Sequence, residues 1–436
     1  MAVSSASGAV SLPSQKGRAV SPPSREGHAD SLSSREGHAV SPPSQRGDAV
    51  SQPSPERPAG EPSAARPDRS HLTELRLSAF AGHRRAALPL GPFTLFAGPS
   101  GCGKTTALRA YEALARLAGG AGVGEAFPDP DACVPERARP DAQRRRGFRI
   151  GCTADGPEGP VRLDVAVQAE PELRIVGERL SAGGVVLLET ALRDPSRPYV
   201  QAAWHTAGQS PVTRAPLPDD RLGTALLPLR VAGKTDGQRR VLAAAEQMVV
   251  ALRSVFACDP RPDRMRGRVP VGSGRLLGGC DNLADVLWRT RAECGRRHAQ
   301  FVAAVRAGCA GAVTDVAAEV LGDGTMRAVL DRGDGIRTEL GRLGDGELRY
   351  LALSLVLLTG PGVLEVDPAG EVPEAMQTLT VLADGLDRGL DPGQCGEVVR
   401  LAVRMCERGH IRVVGAVSDA SGVAEAGGVT VVHLEP

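Results

Sequence analysis

The residues with the most legible chemistry are Gly98-Pro99-Ser100-Gly101-Cys102-Gly103-Lys104-Thr105, which have the form GxxxxGK[ST]. An apolar run, Phe93-Thr-Leu-Phe-Ala97, precedes them and a helical pattern follows, so the loop should join a buried strand to a helix N-terminus. Glycines let the backbone curl until its N–H groups face one anion, and the helix end adds positive potential. Lys104 is placed to reach β- and γ-phosphates. The Thr105 hydroxyl, with Thr106 beside it, is placed to meet Mg²⁺. The chemistry expected is binding of ATP with Mg²⁺. A second Gly-Lys-Thr, at 233–235, has Pro228 where the first glycine should stand and reads as a surface loop.

These residues need a scaffold. Strands are expected at 72–80, 86–90, 93–97, 148–153, 161–167, 173–180 and 185–188, with a helix at 105–117. Helical patterns follow at 238–256, 282–307 and 347–358. Strands return at 379–383, 411–417 and 429–434, with a helix at 396–408 between the first two. Strand–loop–helix at the start and strand–helix–strand at the end imply an α/β fold with a mainly parallel sheet covered by helices.

The chain has 436 residues, 52 Lys+Arg and 51 Asp+Glu, which argues against a strongly basic, histone-like protein. No apolar run is long enough for a transmembrane helix, and the N-terminus does not read as a secretory signal. Residues 1–70 hold 16 Ser and 10 Pro and repeat every ten residues from GRAVSPPSRE (17–26) onward. So few apolar side chains cannot offset backbone entropy, and the segment reads as a disordered tail. The nine cysteines include no CxxC pair and are expected as reduced thiols of a cytoplasmic protein, not as a zinc site. Three lysines against 49 arginines, with abundant Ala, Gly and Pro, point to a GC-rich genome.

The segment Arg342-Leu-Gly-Asp-Gly-Glu-Leu-Arg-Tyr-Leu-Ala-Leu353 is a small glycine turn opening an apolar helix. It resembles the signature loop of ABC-class ATPases and, more narrowly, the LSDGTLRxLAL form of RecF/SMC-like, AAA-type predicted ATPases. The opening FAGHRRAALPLGPFTLFAGPSGCGKTTALRAYEAL resembles the same group, as does the stretch from Cys258-Asp259-Pro260 through Asp281-Asn282-Leu283-Ala284. The resemblance spans 72–434. It implies a P-loop NTPase of ABC/RecF-like head type, with an antiparallel β subdomain and a helical subdomain. The N-lobe would fall at 71–195, the helical part at 196–340 and the C-lobe at 341–436. Without sustained heptads in 282–307 the head is expected to lack a coiled-coil arm. The resemblance also implies an ATP-sandwiched homodimer, in which Leu343, Gly344, Asp345, Gly346 and Glu347 of one protomer cover the γ-phosphate held by the other.

Two aspartates compete for the Mg²⁺ role that the family gives to a strand-terminal Asp. Thr378-Leu-Thr-Val-Leu-Ala-Asp384 ends an apolar strand, and Asp391 follows at the spacing of the family's D-loop Asp. Val363-Leu-Glu-Val-Asp367 lies nearer the signature helix. Neither is followed by the Glu that orients water: Gly385 and Pro368 stand there. Ser418 occupies the place of a γ-phosphate His, and Gly344 that of the signature Ser. Hydrolysis is therefore expected to be slow, since each positioned acid/base group typically contributes about 10²–10⁴-fold. Asp387, Glu371 and Asp419 are substitute carboxylates, and Gly385→Glu would supply the missing one if the backbone tolerates a side chain.

RecF-like heads commonly meet DNA, so arginine clusters matter: Arg137, Arg139, Arg144, Arg145, Arg146 and Arg149, then Arg261, Arg264, Arg266 and Arg268. Residues 71–436 carry 44 basic and 44 acidic side chains, and few aromatics flank either cluster. Contact with a DNA backbone is one reading. The other is an ATP-sensing dimerisation switch that acts on a protein partner.

Overall fold

A computed structural model describes residues 69–206, 212–370, 372–373, 377–422 and 427–435. The expected tail up to residue 68 and the candidate Glu371 lie outside the described residues.

Strands β1 (His71–Phe80) and β2 (His83–Pro89) form a hairpin, and β3 (Phe93–Ala97) runs through the glycine loop into α1 (Lys104–Ala118). After α2 (Val123–Ala126) come β4 (Arg146–Asp155), β5 (Val161–Glu170), β6 (Arg174–Ala182), β7 (Val185–Ala191), β8 (Tyr199–His205) and β9 (Val212–Pro218). Next are α3 (Gly223–Arg230), α4 (Asp236–Leu252), β10 (Val255–Cys258), α5 (Pro262–Met265) and β11 (Val269–Pro270). Helices α6 (Leu283–Glu293) and α7 (Gly295–Gly308) lead to β12 (Asp315–Val320), β13 (Thr325–Asp331) and β14 (Arg337–Glu339). The chain closes with α8 (Asp345–Leu358), β15 (Leu379–Ala383), α9 (Pro392–Glu407), β16 (Ile411–Val417) and β17 (Thr430–His433).

These strands make three sheets. The largest is antiparallel, in the order β2-β1-β4-β5-β6-β7-β8-β9. The second is parallel, in the order β10-β15-β16-β3-β17. In the third, β13 pairs β12 on one edge and both β11 and β14 on the other. The parallel sheet is thus smaller than the expectation of a mainly parallel fold, because β8 and β9 lengthen the antiparallel meander.

Strands of the parallel sheet are apolar on both faces, as burial on both sides demands. Phe93, Leu95, Leu379, Val381, Ile411 and Val413 face a core shared with α6–α9, while Phe96, Leu382, Val414 and Ala416 face a core shared with α1, α4 and the antiparallel sheet. Helix α4 buries Val241, Ala244, Ala245 and Met248 at helical spacing and lies across β1 and β4–β8. Helix α8 is buried at every position from Leu348 to Leu358, which fits a helix apolar around its whole circumference.

Three other expectations change. The span 196–340 is not simply helical, since it also holds β8–β14. The helix expected at 238–256 stops at Leu252. Ser254 turns left-handed (φ 55), and Val255–Cys258 becomes β10, where pairing with β15 outweighs local helical pattern. The helix expected at 282–307 is two, broken at Cys294-Gly295, so that α6 packs on β12 and β13 while α7 packs on α8 and α9. Among the described residues, no helix is long and apolar enough to cross a membrane.

Candidate functional site

A parallel sheet collects the carboxyl ends of its strands along one edge, where ligands of such sheets bind. Here that edge carries Asp259 after β10, Asp384 after β15, Ser418 after β16, and the glycine loop after β3. The loop glycines 98, 101 and 103 all have positive φ. At Gly103 (φ 94) a Cβ would lie 2.5 Å from the His83 ring, so β2 presses on the loop at a point only glycine can occupy. His83 Nε2 is 3.0 Å from the Gly103 carbonyl. Pro99, Ser100 and Gly101 are exposed, and Cys102 is buried beneath them.

Lys104 is half-buried and arches over the loop, its Nζ donating to the carbonyls of Gly98 (2.6 Å) and Pro99 (2.9 Å). Thr105 Oγ1 donates to the Asp384 carboxylate, 3.0 Å from each oxygen. Residues 279 positions apart are joined because α1 is anchored against β15 nearly two turns further on, where the buried Tyr111 hydroxyl donates to Thr380 Oγ1 at 3.4 Å. Burial pushes Tyr111 up to about 12, so this tie is a phenol throughout the physiological range. Thr106 is half-buried on the next position of α1.

Asp367 lies elsewhere. Its carboxylate accepts from Arg253 Nη2 (2.8 Å), and its carbonyl accepts from the Ser254 amide, just before β10 begins. It therefore sits at the amino ends of the parallel strands, by Gly119 at the far end of α1.

Among the described residues, no group of three or more His, Cys, Asp or Glu could hold a metal. The donor set of Thr105 and Asp384 supplies one hydroxyl and one carboxylate. That fits Mg²⁺, which usually takes one or two protein ligands and completes its shell with phosphate and water. The glycine loop fits the triphosphate for the same reason: it offers N–H groups and one ammonium, and no carboxylate.

The signature residues form the N-terminus of α8. Gly344 and Asp345 are exposed, Gly346 and Glu347 are half-buried, and Leu343 is buried. Gly344 N–H donates to Glu347 Oε2 at 3.3 Å, and Glu347 Oε1 accepts from Ala310 N–H at 3.0 Å. Arg266 clamps the turn from outside, donating to the carbonyls of Gly341 and Leu343 (2.7 Å each) and to Asp345 (2.5 Å). Asp391 caps α9, accepting from Gln394 N–H at 2.9 Å.

The two substitute carboxylates among the described residues are already engaged. Asp387 accepts the Ser418 amide at 2.7 Å, and Asp419 is bonded by Ser421. The second Gly-Lys-Thr is a loop in which Thr235 caps α4.

The first arginine cluster divides. Arg145 pairs with Asp141 and Arg146 with Glu170, whereas Arg149 joins Arg85 on the outer face of the antiparallel sheet, each paired in register with Ser78. Arg261, Arg264, Arg266 and Arg268 all meet carboxylates: Asp263, Asp281, Asp345 and Asp323.

Sequence reasoning passed over Arg349. It lies on α8 and is only 4% exposed. Its signal was legible as a single charge inside the run Leu348–Leu358 that is otherwise uncharged.

No protein-family model matches this chain, and no curated protein matches it. Solved structures of SMC heads align with it. A head bound to the C-winged helix domain of ScpA aligns at 11% identity and TM-score 0.43, over 81% of this chain and 92% of that one. The head domain from Thermotoga maritima aligns at 12% and 0.37, over 80% and 89%. A Pyrococcus furiosus head with an extended coiled coil, bound to the C-terminal domain of ScpA, aligns at 12% and 0.40, over 81% and 91%.

Proposed function

We propose that this chain binds Mg²⁺-ATP through residues 98–106 and Asp384, pairs with a second copy across the exposed signature turn, and turns ATP over slowly. The observation that carries the reading is the Thr105–Asp384 contact beside the glycine loop, at the carboxyl edge of a parallel sheet. Slow turnover is supported by Gly385, which brings no carboxylate next to Asp384, and by the engagement of Asp387 and Asp419. Binding the ground state without stabilising the transition state gives occupancy instead of rate.

Calorimetry on wild type and Lys104→Ala tests the binding step. Lys104→Ala should abolish ATP binding while leaving the thermal melt unchanged, and undiminished affinity in a folded variant overturns the reading. Chromatography should show dimers accumulating with ATP. Wild-type single turnover near 1 s⁻¹, within the ordinary enzyme range, would overturn slow hydrolysis.

A second reading adds contact with a DNA backbone. The observation favouring it is Arg85 and Arg149, two exposed arginines that flank Ser78 on the outer sheet face. Salt-dependent DNA binding that weakens in the double variant Arg85→Ala/Arg149→Ala supports it. ATP-dependent dimers that ignore DNA favour a switch acting on a protein partner.

A further inference from the structure

The signature turn and Asp384 belong to different elements, yet one buried side chain links the helix that carries the turn to the backbone that carries Asp384. Arg349 rises from the second turn of α8, immediately after the signature residues. Its Nη2 donates to the carbonyls of Gly385 (2.9 Å) and Asp384 (3.4 Å). Its Nη1 donates to the carbonyl of Pro260 (2.6 Å) and to Asp259 (3.3 Å). Asp259 is held in turn by Arg388, three residues beyond Gly385. The backbone of Gly346 packs against the Gly389 carbonyl so closely that a Cβ would overlap it. The segment 384–389 is therefore gripped by α8 at both ends. The grip falls on main-chain carbonyls, leaving the Asp384 carboxylate to Thr105.

We propose that Arg349 is the positioning residue of the metal side of the site. By fixing the Asp384-Gly385 backbone to the N-terminal turns of α8, it aims the Asp384 carboxylate at the Thr105 hydroxyl and ties that aim to the signature turn. A planar guanidinium suits this task, because its two terminal nitrogens reach the carbonyls of two loops from one rigid plane, a span that a single ammonium nitrogen on a flexible stem does not reproduce. Removing it leaves Lys104 and the loop N–H groups untouched, so the loss should appear only where the metal is read. The inference rests on the reading of 98–106 and Asp384 as a Mg²⁺-nucleotide site.

The test compares ATP affinity of the full chain with Mg²⁺ and in chelator, for wild type, Thr105→Val, Arg349→Lys and Arg349→Met. Wild type should bind more tightly with Mg²⁺, and Thr105→Val should lose that increment. Arg349→Met should also lose the increment, by about tenfold or more, with chelator affinity within twofold of wild type. Arg349→Lys keeps the charge and should lose the increment as well. A full increment in either folded Arg349 variant overturns the proposal while Thr105→Val keeps the site reading intact. Equal loss of affinity with and without Mg²⁺ also overturns it. So does failure of Arg349→Lys to fold, which would make Arg349 a structural residue. Absence of any Mg²⁺ increment in wild type fails the underlying reading instead.

Discussion

Gly385 is the residue at which the missing water-orienting carboxylate should stand, and its conformation explains why none does. Its φ is +59, the left-handed region, where a side chain costs roughly 1–2 kcal/mol. A Cβ there would also lie 2.8 Å from the Arg388 guanidinium. Supplying the carboxylate as Gly385→Glu therefore should not raise turnover, because the new side chain is strained and drawn to Arg388. Urea unfolding should show a loss of about 1 kcal/mol, and single-turnover hydrolysis should stay at the wild-type rate. A faster variant would mean that this turn relaxes when a charge is added.

At the scale of elements, a helix end can be closed by a distant part of the chain. The eight-residue α3 has no side-chain cap of its own at Leu222. Glu178 of β6 supplies one, accepting the amides of Gly223 (2.6 Å) and Thr224 (2.7 Å) and the Thr224 hydroxyl. Burial nonetheless raises the Glu178 carboxyl above its ordinary value, against the lowering effect of these bonds. A raised folded value means that the stabilisation linked to this group is complete below the unfolded value and is lost as pH rises through the folded one. Glu178→Gln presents an amide donor to the α3 amides and should cost about 1–3 kcal/mol. The advantage of wild type over Glu178→Gln should be largest at acid pH and narrow toward neutrality, measured by urea unfolding of both proteins at pH 4 and pH 8. An advantage that widens with pH would show that the amide bonds outweigh burial.

At the scale of the molecule, two cores meet on opposite faces of the parallel sheet. Ser70 is 7% exposed at the start of β1, so the folded part begins no later than this residue. The Ser/Pro repeat before it carries too few apolar side chains to add to either core. Deleting residues 1–68 should leave both the melting temperature and ATP affinity unchanged. A fall in melting temperature beyond experimental error would show that the repeat docks on the body.

The phosphate loop, the apolar strands β3, β15 and β16 and the buried helix α8 were legible in the sequence because each is set by neighbours within a few residues: glycine spacing, a continuous apolar run, a helix without a polar face. Asp384 and Asp367 both end apolar segments, and local pattern ranked them only by a spacing borrowed from a family. Tertiary structure separates them, since β15 runs parallel to β3 and delivers Asp384 to the edge where Thr105 lies, while Asp367 falls at the opposite edge. The same limit hid β10 inside an expected helix and the break at Gly295, because strand pairing and the change of packing partner are long-range. Arg349 stood out as a lone charge in an apolar helix, but what it touches comes from segments about 90 and 35 residues away. Only the folded chain brings the carbonyls of Pro260 and Gly385 to the two terminal nitrogens of one guanidinium, and those bonds offset its burial.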